Sequence, residues 1–178
     1  TPAQVTVKAD NKSKVYGATD PALTATVTGL VNNESQSLII YTIARQSGEA
    51  AGTYTITPSG AATQGNYSVK FETGTFTITS KPIVDPDDPT KTMVTNDPSN
   101  VTYNGLDQKW EPVVKDGNTV LVKDTDYTGT YSADTKNVGQ VTVTITGINN
   151  YSDSVKKTYN ITPAQVTVKA DNKSKVYG

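Results

Sequence analysis

Cysteine and histidine are both absent from this chain. Their absence removes disulfides, thiol nucleophiles, structural zinc sites and imidazole general bases. Long apolar runs are missing too. Nothing approaches the roughly 20 residues of a membrane span, so no membrane insertion is expected. The residues show no leader-peptide pattern, and a segment of a longer protein is expected. Neither sign of charge dominates, since 16 basic and 17 acidic residues leave a net charge of −1. That balance offers no footprint for nucleic acid and no polybasic patch for a membrane surface.

The chain is rich instead in threonine (30 residues) and tyrosine (10 residues), with abundant valine. These residue types suit a pleated, half-buried surface and argue for strands over helices. The apolar residues alternate cleanly, as in Val5/Val7, Leu23/Ala25/Val27, Ile39/Tyr41/Ile43, Tyr54/Ile56, Val69/Phe71 and Phe76/Ile78. A period of two places them on one face and Thr, Lys and Gln on the other. Val141/Val143/Ile145 and Tyr159/Ile161 repeat the pattern later in the chain. Only the stretch 32–38 favours a helical turn, with Asn33 or Ser35 as its cap.

The ends carry the strongest signal. TPAQVTVKADNKSKVYG spans Thr1–Gly17 and recurs unchanged at Thr162–Gly178, 161 positions later. Such identity predicts a tandem array of 161-residue units. A weaker repeat lies inside the unit at an offset of about 87. It matches Val5/Val7 with Thr92/Val94, Tyr16-Gly17 with Tyr103-Asn104, Gly52 with Gly139, and Asn66-Tyr67-Ser68 with Asn150-Tyr151-Ser152. The domain reading is therefore a first module over 1–80, a Pro/Asp-rich linker over 81–91 and a diverged second module over 92–162. Residues 163–178, identical to 2–17, are read as the first strand of the next repeat. Pro82, Pro86 and Pro89 make the linker a semi-rigid spacer, whereas no spacer separates Ile161 from the strand that follows. A tight joint should alternate with a looser one. The expected fold class is mainly β: two small strand-rich modules, β-grasp-like or β-sandwich, arranged as elongated beads on a string.

The run ADNKSKVYGATDPALTATVTGLV, followed by GTYTITPSGAATQGNYSVKFETGTFTIT, resembles the MBG-type repeats of Gram-positive bacterial surface adhesins, distant relatives of mucus-binding repeats. The resemblance rests on Tyr16-Gly17, Asp20-Pro21, Gly29-Leu30, Gly52-Thr53-Tyr54 and Gly65-Asn66-Tyr67. The second module is a more diverged match through Tyr103-Asn104-Gly105, Asp126-Tyr127, Val138-Gly139 and Asn149-Asn150-Tyr151. It implies strand-rich repeats in long wall-anchored proteins, without a defined ligand pocket. Proteins of this kind often do without disulfides, so a missing cysteine is compatible with export.

Candidate sites are few. Trp110, the single tryptophan, aligns with the apolar Leu23, and core packing is favoured over stacking on a sugar. Tyr127 and Tyr131 lack a secure counterpart in the first module and are the first places to look for an exposed, ligand-facing aromatic. Asp124, Asp126 and Asp134 form the densest acidic set of the second module and are weak candidates for calcium. They lack the order of a calcium loop, and a solvated acidic surface is the favoured reading. No metal and no cofactor is expected. Lys91 and Asn160 are the one pair for an isopeptide crosslink, but Asn160 should face outward, so none is expected.

The leading expectation is a non-enzymatic repeat unit of a bacterial cell-surface adhesin, a stalk or spacer with weak multivalent binding of mucin or glycan. The alternative is a dedicated protein- or carbohydrate-binding module within 92–162. Expected partners are neighbouring repeats of the same protein and host mucin, glycan or extracellular-matrix protein. The expected location is extracellular, attached to the cell wall through other regions. The C-terminal strand at 165–170, with its Val166/Val168 face, is a candidate for strand exchange with a second copy.

Overall fold

The computed structural model describes residues 1–132 and 134–178 and is mainly β, with one 3-10 turn and no α-helix among the described residues. The first module contains β1 (Ala3–Ala9), β2 (Lys12–Val15), β3 (Ala25–Thr28), β4 (Thr42–Arg45), β5 (Gly52–Ser59), β6 (Thr63–Gln64), β7 (Tyr67–Glu72) and β8 (Gly74–Thr79). One sheet runs β3-β1-β7-β6 and the other β2-β8-β5-β4. The module is thus built from two small four-stranded sheets, with no α-helix packed on either. Period-two patterning builds the interior. Val5, Val7 and Ala9 on β1 are buried, as are Ile56 on β5 and Phe76 and Ile78 on β8.

Two strands pass from one sheet to the other side by side. β1 runs parallel to β7, and β2 runs parallel to β8. Both bend between their halves, at Asp10–Asn11 and at Thr73–Gly74. Side chains hold the first bend: Asp10 accepts the hydroxyls of Thr24 and Thr26 at 2.6 and 2.8 Å, and Asn11 Oδ1 accepts the Thr75 amide at 2.8 Å. The second bend needs glycine, because a Cβ on Gly74 would sit 2.6 Å from the Ala9 carbonyl oxygen. The predicted helical turn is a 3-10 turn, Gln36–Leu38, with Ser35 Oγ accepting the Ser37 amide.

The second module contains β9 (Lys81–Pro82), β10 (Val101–Thr102), β11 (Lys115–Asp116), β12 (Thr119–Val120), β13 (Tyr127–Tyr131), β14 (Gly139–Gly147), β15 (Tyr151–Ser152) and β16 (Ser154–Thr162). Its main sheet is β10-β16-β14-β13, with smaller pairs β11-β12 and β9-β15. Val141, Val143 and Ile145 meet Tyr159 and Ile161 in the core.

Segment 81–91 is not the spacer expected from its prolines. Lys81 donates to Asn150 O at 2.8 Å and Ile83 to Ser152 O at 2.9 Å, so the missing N–H of Pro82 falls on the face that needs no donor. Ile83 is 0% exposed and lies in the core of the second module. The aspartates serve as turn formers: Asp85 Oδ1 accepts the Asp87 amide and Asp88 Oδ1 the Thr90 amide. The loop returns through the Val84–Thr92 bridge and the Met93 N–H bond to Ile83 O at 2.8 Å. Pairing also corrects the internal alignment. Val94 opposes Val114 as Val7 opposes Val27, which keeps the offset of 87. Lys81 opposes Tyr151 as Ala3 opposes Tyr67, so the counterpart of Val5 is Ile83 and not Thr92. An inserted loop separates the two halves of this strand.

Residues 163–178 form no strand, and all of them are exposed. Val166 and Val168 are 84% and 92% exposed, although their sequence twins Val5 and Val7 are buried. The cause is pairing: β1 lies between β3 and β7, and no such neighbours flank the C-terminal copy.

Candidate functional site

Tyr127 and Tyr131 are not the exposed aromatics expected of them. β13 pairs along β14 and points Tyr127 into the core at 5% exposure, with its hydroxyl donating to Pro112 O at 3.4 Å. Tyr131 is half-buried, and its hydroxyl donates to Trp110 O at 2.6 Å. Burial, reinforced by the neighbouring Glu111 carboxylate, pushes the Tyr131 phenol up to about 12. Desolvation raises Tyr127 as well. Both rings are committed to packing.

Two of the three acidic candidates use their carboxylates to hold turns. Asp126 Oδ2 accepts the Val122 amide at 2.8 Å. Asp134 Oδ1 accepts the amides of Lys136 and Asn137, both at 2.9 Å, and these bonds with the Asn137 side chain hold its carboxyl below the ordinary range. Asp124 adopts φ +64° in the same loop as Asp126. Among the described residues no three acidic groups converge as metal ligands.

Trp110 packs its ring partly against the second core, as its alignment with Leu23 implies, yet one edge borders a cleft. The cleft holds about 480 Å³ between Asp97, Asp107, Gln108, Lys109, Trp110 and Tyr159. Lys157 Nζ pairs with Asp97 at 2.5 Å, and Thr135 donates to Asp107 at 3.0 Å. The Trp110 Nε1–H is buried without a hydrogen-bond partner among the described residues, an uncommon state for an indole. The sequence singled out the tryptophan but not Asp97, Gln108 or Lys109, which reach it only through the fold.

The first module carries a charged cluster at one end. Arg45 Nε donates to Asp20 at 2.5 Å, and its Nη2 also reaches Glu49. Lys14 pairs with Asp20 at 2.7 Å and with Glu49. The guanidinium lies 4.7 Å from the Phe76 ring centroid. Hydrogen bonds from Arg45, then Lys14, hold the Asp20 carboxyl down to about 2. Every charge has an opposite partner, so the cluster clamps the Asp20-Pro21 loop against β4 and offers no vacant charge to a ligand.

Beside that clamp the two modules touch. The Tyr16 and Tyr151 rings meet edge to face with centroids 5.6 Å apart, and the Ala51 amide donates to Asn150 Oδ1 at 2.8 Å. The connection is a single residue. Thr79 belongs to the first module, where its carbonyl accepts the Tyr16 amide at 2.8 Å, and Lys81 already pairs in the second. Sequence reading marked Tyr16-Gly17 and Asn150-Tyr151 as repeated motifs without seeing that they meet.

No curated protein matches the chain. One family model does, described as MBG domain (YGX type), over residues 5–77. These residues are the first module almost in full, including the Tyr16-Gly17 pair at its joint. Residues 5–77 thus match the MBG domain of the YGX type, in agreement with the MBG-type repeat that the motifs of the first module resemble.

Proposed function

We propose that the chain is a repeat unit of a bacterial cell-surface adhesin, where it acts as a stalk segment outside the cell. The one-residue connection between modules carries this reading, because a spacer built from such joints transmits position instead of swinging freely. The exact recurrence of Thr1–Gly17 at Thr162–Gly178 supports a tandem arrangement. No reaction is assigned, since the sequence supplies neither imidazole nor thiol and the carboxylates of Asp126 and Asp134 serve as turn caps. Small-angle scattering on chains of one, two and four units tests the stalk. A radius of gyration rising in proportion to unit number is the expected result, and growth as the cube root would overturn it.

A second reading rests on the Trp110 cleft, whose volume falls in the small-ligand range of about 300–1,000 Å³. The Trp110 ring edge, beside two carboxylates and a lysine, suits the face and hydroxyl groups of a host glycan. Trp110 is the single tryptophan, so its fluorescence reports this cleft alone. A saturable change on titration with mucin oligosaccharides is expected. An unchanged spectrum at millimolar sugar would reject the glycan site and leave the stalk intact.

A further inference from the structure

The joint between the modules has an unfilled counterpart at the far end of the second module. Tyr103 donates its amide to Thr162 O at 2.9 Å, as Tyr16 does to Thr79 O at 2.8 Å. Gly139 opposes Ile161 as Gly52 opposes Ile78, and both glycines adopt φ +153°. Tyr103 and Val138 therefore occupy the places that Tyr16 and Ala51 hold in the existing joint. Both are exposed, at 37% and 53%, and the Val138 amide makes no bond among the described residues.

The complementary surface lies at the opposite end of the first module. Asn66 and Tyr67 match Asn150 and Tyr151, preceded by Gly65 at φ +57° where the second module has Asn149 at +59°. The Asn66 carbonyl accepts the Ala3 amide at 2.9 Å, as the Asn150 carbonyl accepts that of Lys81 at 2.8 Å. The Asn66 side chain is exposed and lines a groove with Leu38, Ile40 and Gln64. Leu38 and Ile40 are 54% and 72% exposed.

Chain length joins the two surfaces. Residue 79 to residue 81 spans the existing joint through Ser80, and Thr162 to Ala164 repeats that spacing through Pro163. Ala164 carries the sequence position of Ala3, so it is the residue that would pair beside Asn66 of a following copy. Two residues reach at most about 7 Å, and proline fixes its own φ near −65°. The looser joint expected at 81–91 is therefore replaced by two connections of equal length, the second the stiffer.

We infer that the pole formed by Tyr103 and Val138 docks on the Asn66 face of the first module of the following copy, with the Val138 amide donating to Asn66 Oδ1. This interface presupposes the tandem arrangement of the stalk reading. The occupant is a second copy of this chain, joined through Pro163.

Amide hydrogen exchange by NMR tests it, on the chain as it stands and on the same chain extended by one further unit. The Val138 amide should exchange about tenfold more slowly in the two-unit chain, the factor that one net hydrogen bond supplies. Asn66→Ala in the following unit should restore the fast rate. The Ala51 amide, bonded to Asn150 in both chains, serves as the folding control. Equal Val138 rates in the two chains would overturn the interface. Slowing that survives Asn66→Ala would overturn the assigned bond. Scattering from the same sample separates the two ideas, because a folded-back chain with Val138 protected keeps the joint and sinks the stalk.

Discussion

Arg45 and Lys14 bury their side chains to 10% and 5% exposure, while Asp20 and Glu49 remain 38% and 65% exposed. Solubility alone does not explain two buried cations; they need their carboxylates. Asp20 titrates at about 2 in the folded chain, against an ordinary 3.8. A carboxyl depressed on folding makes the unfolded chain bind more protons, so its stabilising effect is complete above pH 3.8 and lost as pH falls through about 2. Urea denaturation between pH 5 and pH 2 should show the first module weakening in that window. Asp20→Asn should flatten the acid limb of the curve, and an unchanged limb would refute the clamp. A separate residue-scale constraint sits at Gly74, where the Ala9 backbone leaves no room for a methyl group. Gly74→Ala should cost about 1–3 kcal/mol, the usual penalty for overpacking, read as a lower midpoint for the first module.

Elements built by plain alternation were legible before any coordinates. β1, β8, β14 and β16 bury the residues that period two assigned to the core, and β5 buries Ile56 but leaves Tyr54 half-buried. Less visible was the interrupted strand at 81–94, because proline and aspartate there mimic the composition of a free linker. Composition cannot tell that the missing N–H of Pro82 faces away from β15, or that Ile83 alone commits the segment to a core. Tyr127 was misjudged for a related reason: an uncertain gap hid its counterpart, and only the pairing of β13 with β14 sets its face. The cleft beside Trp110 was partly legible, since the tryptophan was visible and its polar neighbours come from distant loops. Ile83→Ala tests the corrected boundary. A spacer residue would tolerate it, whereas a fully buried isoleucine should cost about 2–5 kcal/mol, seen as early melting of the second module with the first unaffected.

At the scale of the whole molecule, the question is what stops one module turning against the other. Thr79 is held by Tyr16 in the first module and Lys81 by Asn150 in the second, which leaves Ser80 as the hinge. One residue has two soft dihedrals, enough for rotation if nothing else opposes it. Tyr16 against Tyr151 and the Ala51–Asn150 bond oppose it. The ring pair contributes about 0.5–1.5 kcal/mol beyond its buried area, and the hydrogen bond a similar net amount of about 0.5–1.5 kcal/mol. Together they exceed thermal energy by only a few fold, so the joint is stiff but breakable. Tyr16→Ala with Asn150→Ala should therefore uncouple the modules without unfolding either one. In 15N relaxation, the unaltered chain should fit one rotational diffusion tensor across both modules, and the double variant should need two. A single tensor for the variant would show that Ser80 and the pairing of Lys81 hold the orientation alone, and the two tyrosines would then be packing residues with no part in setting the axis of the repeat.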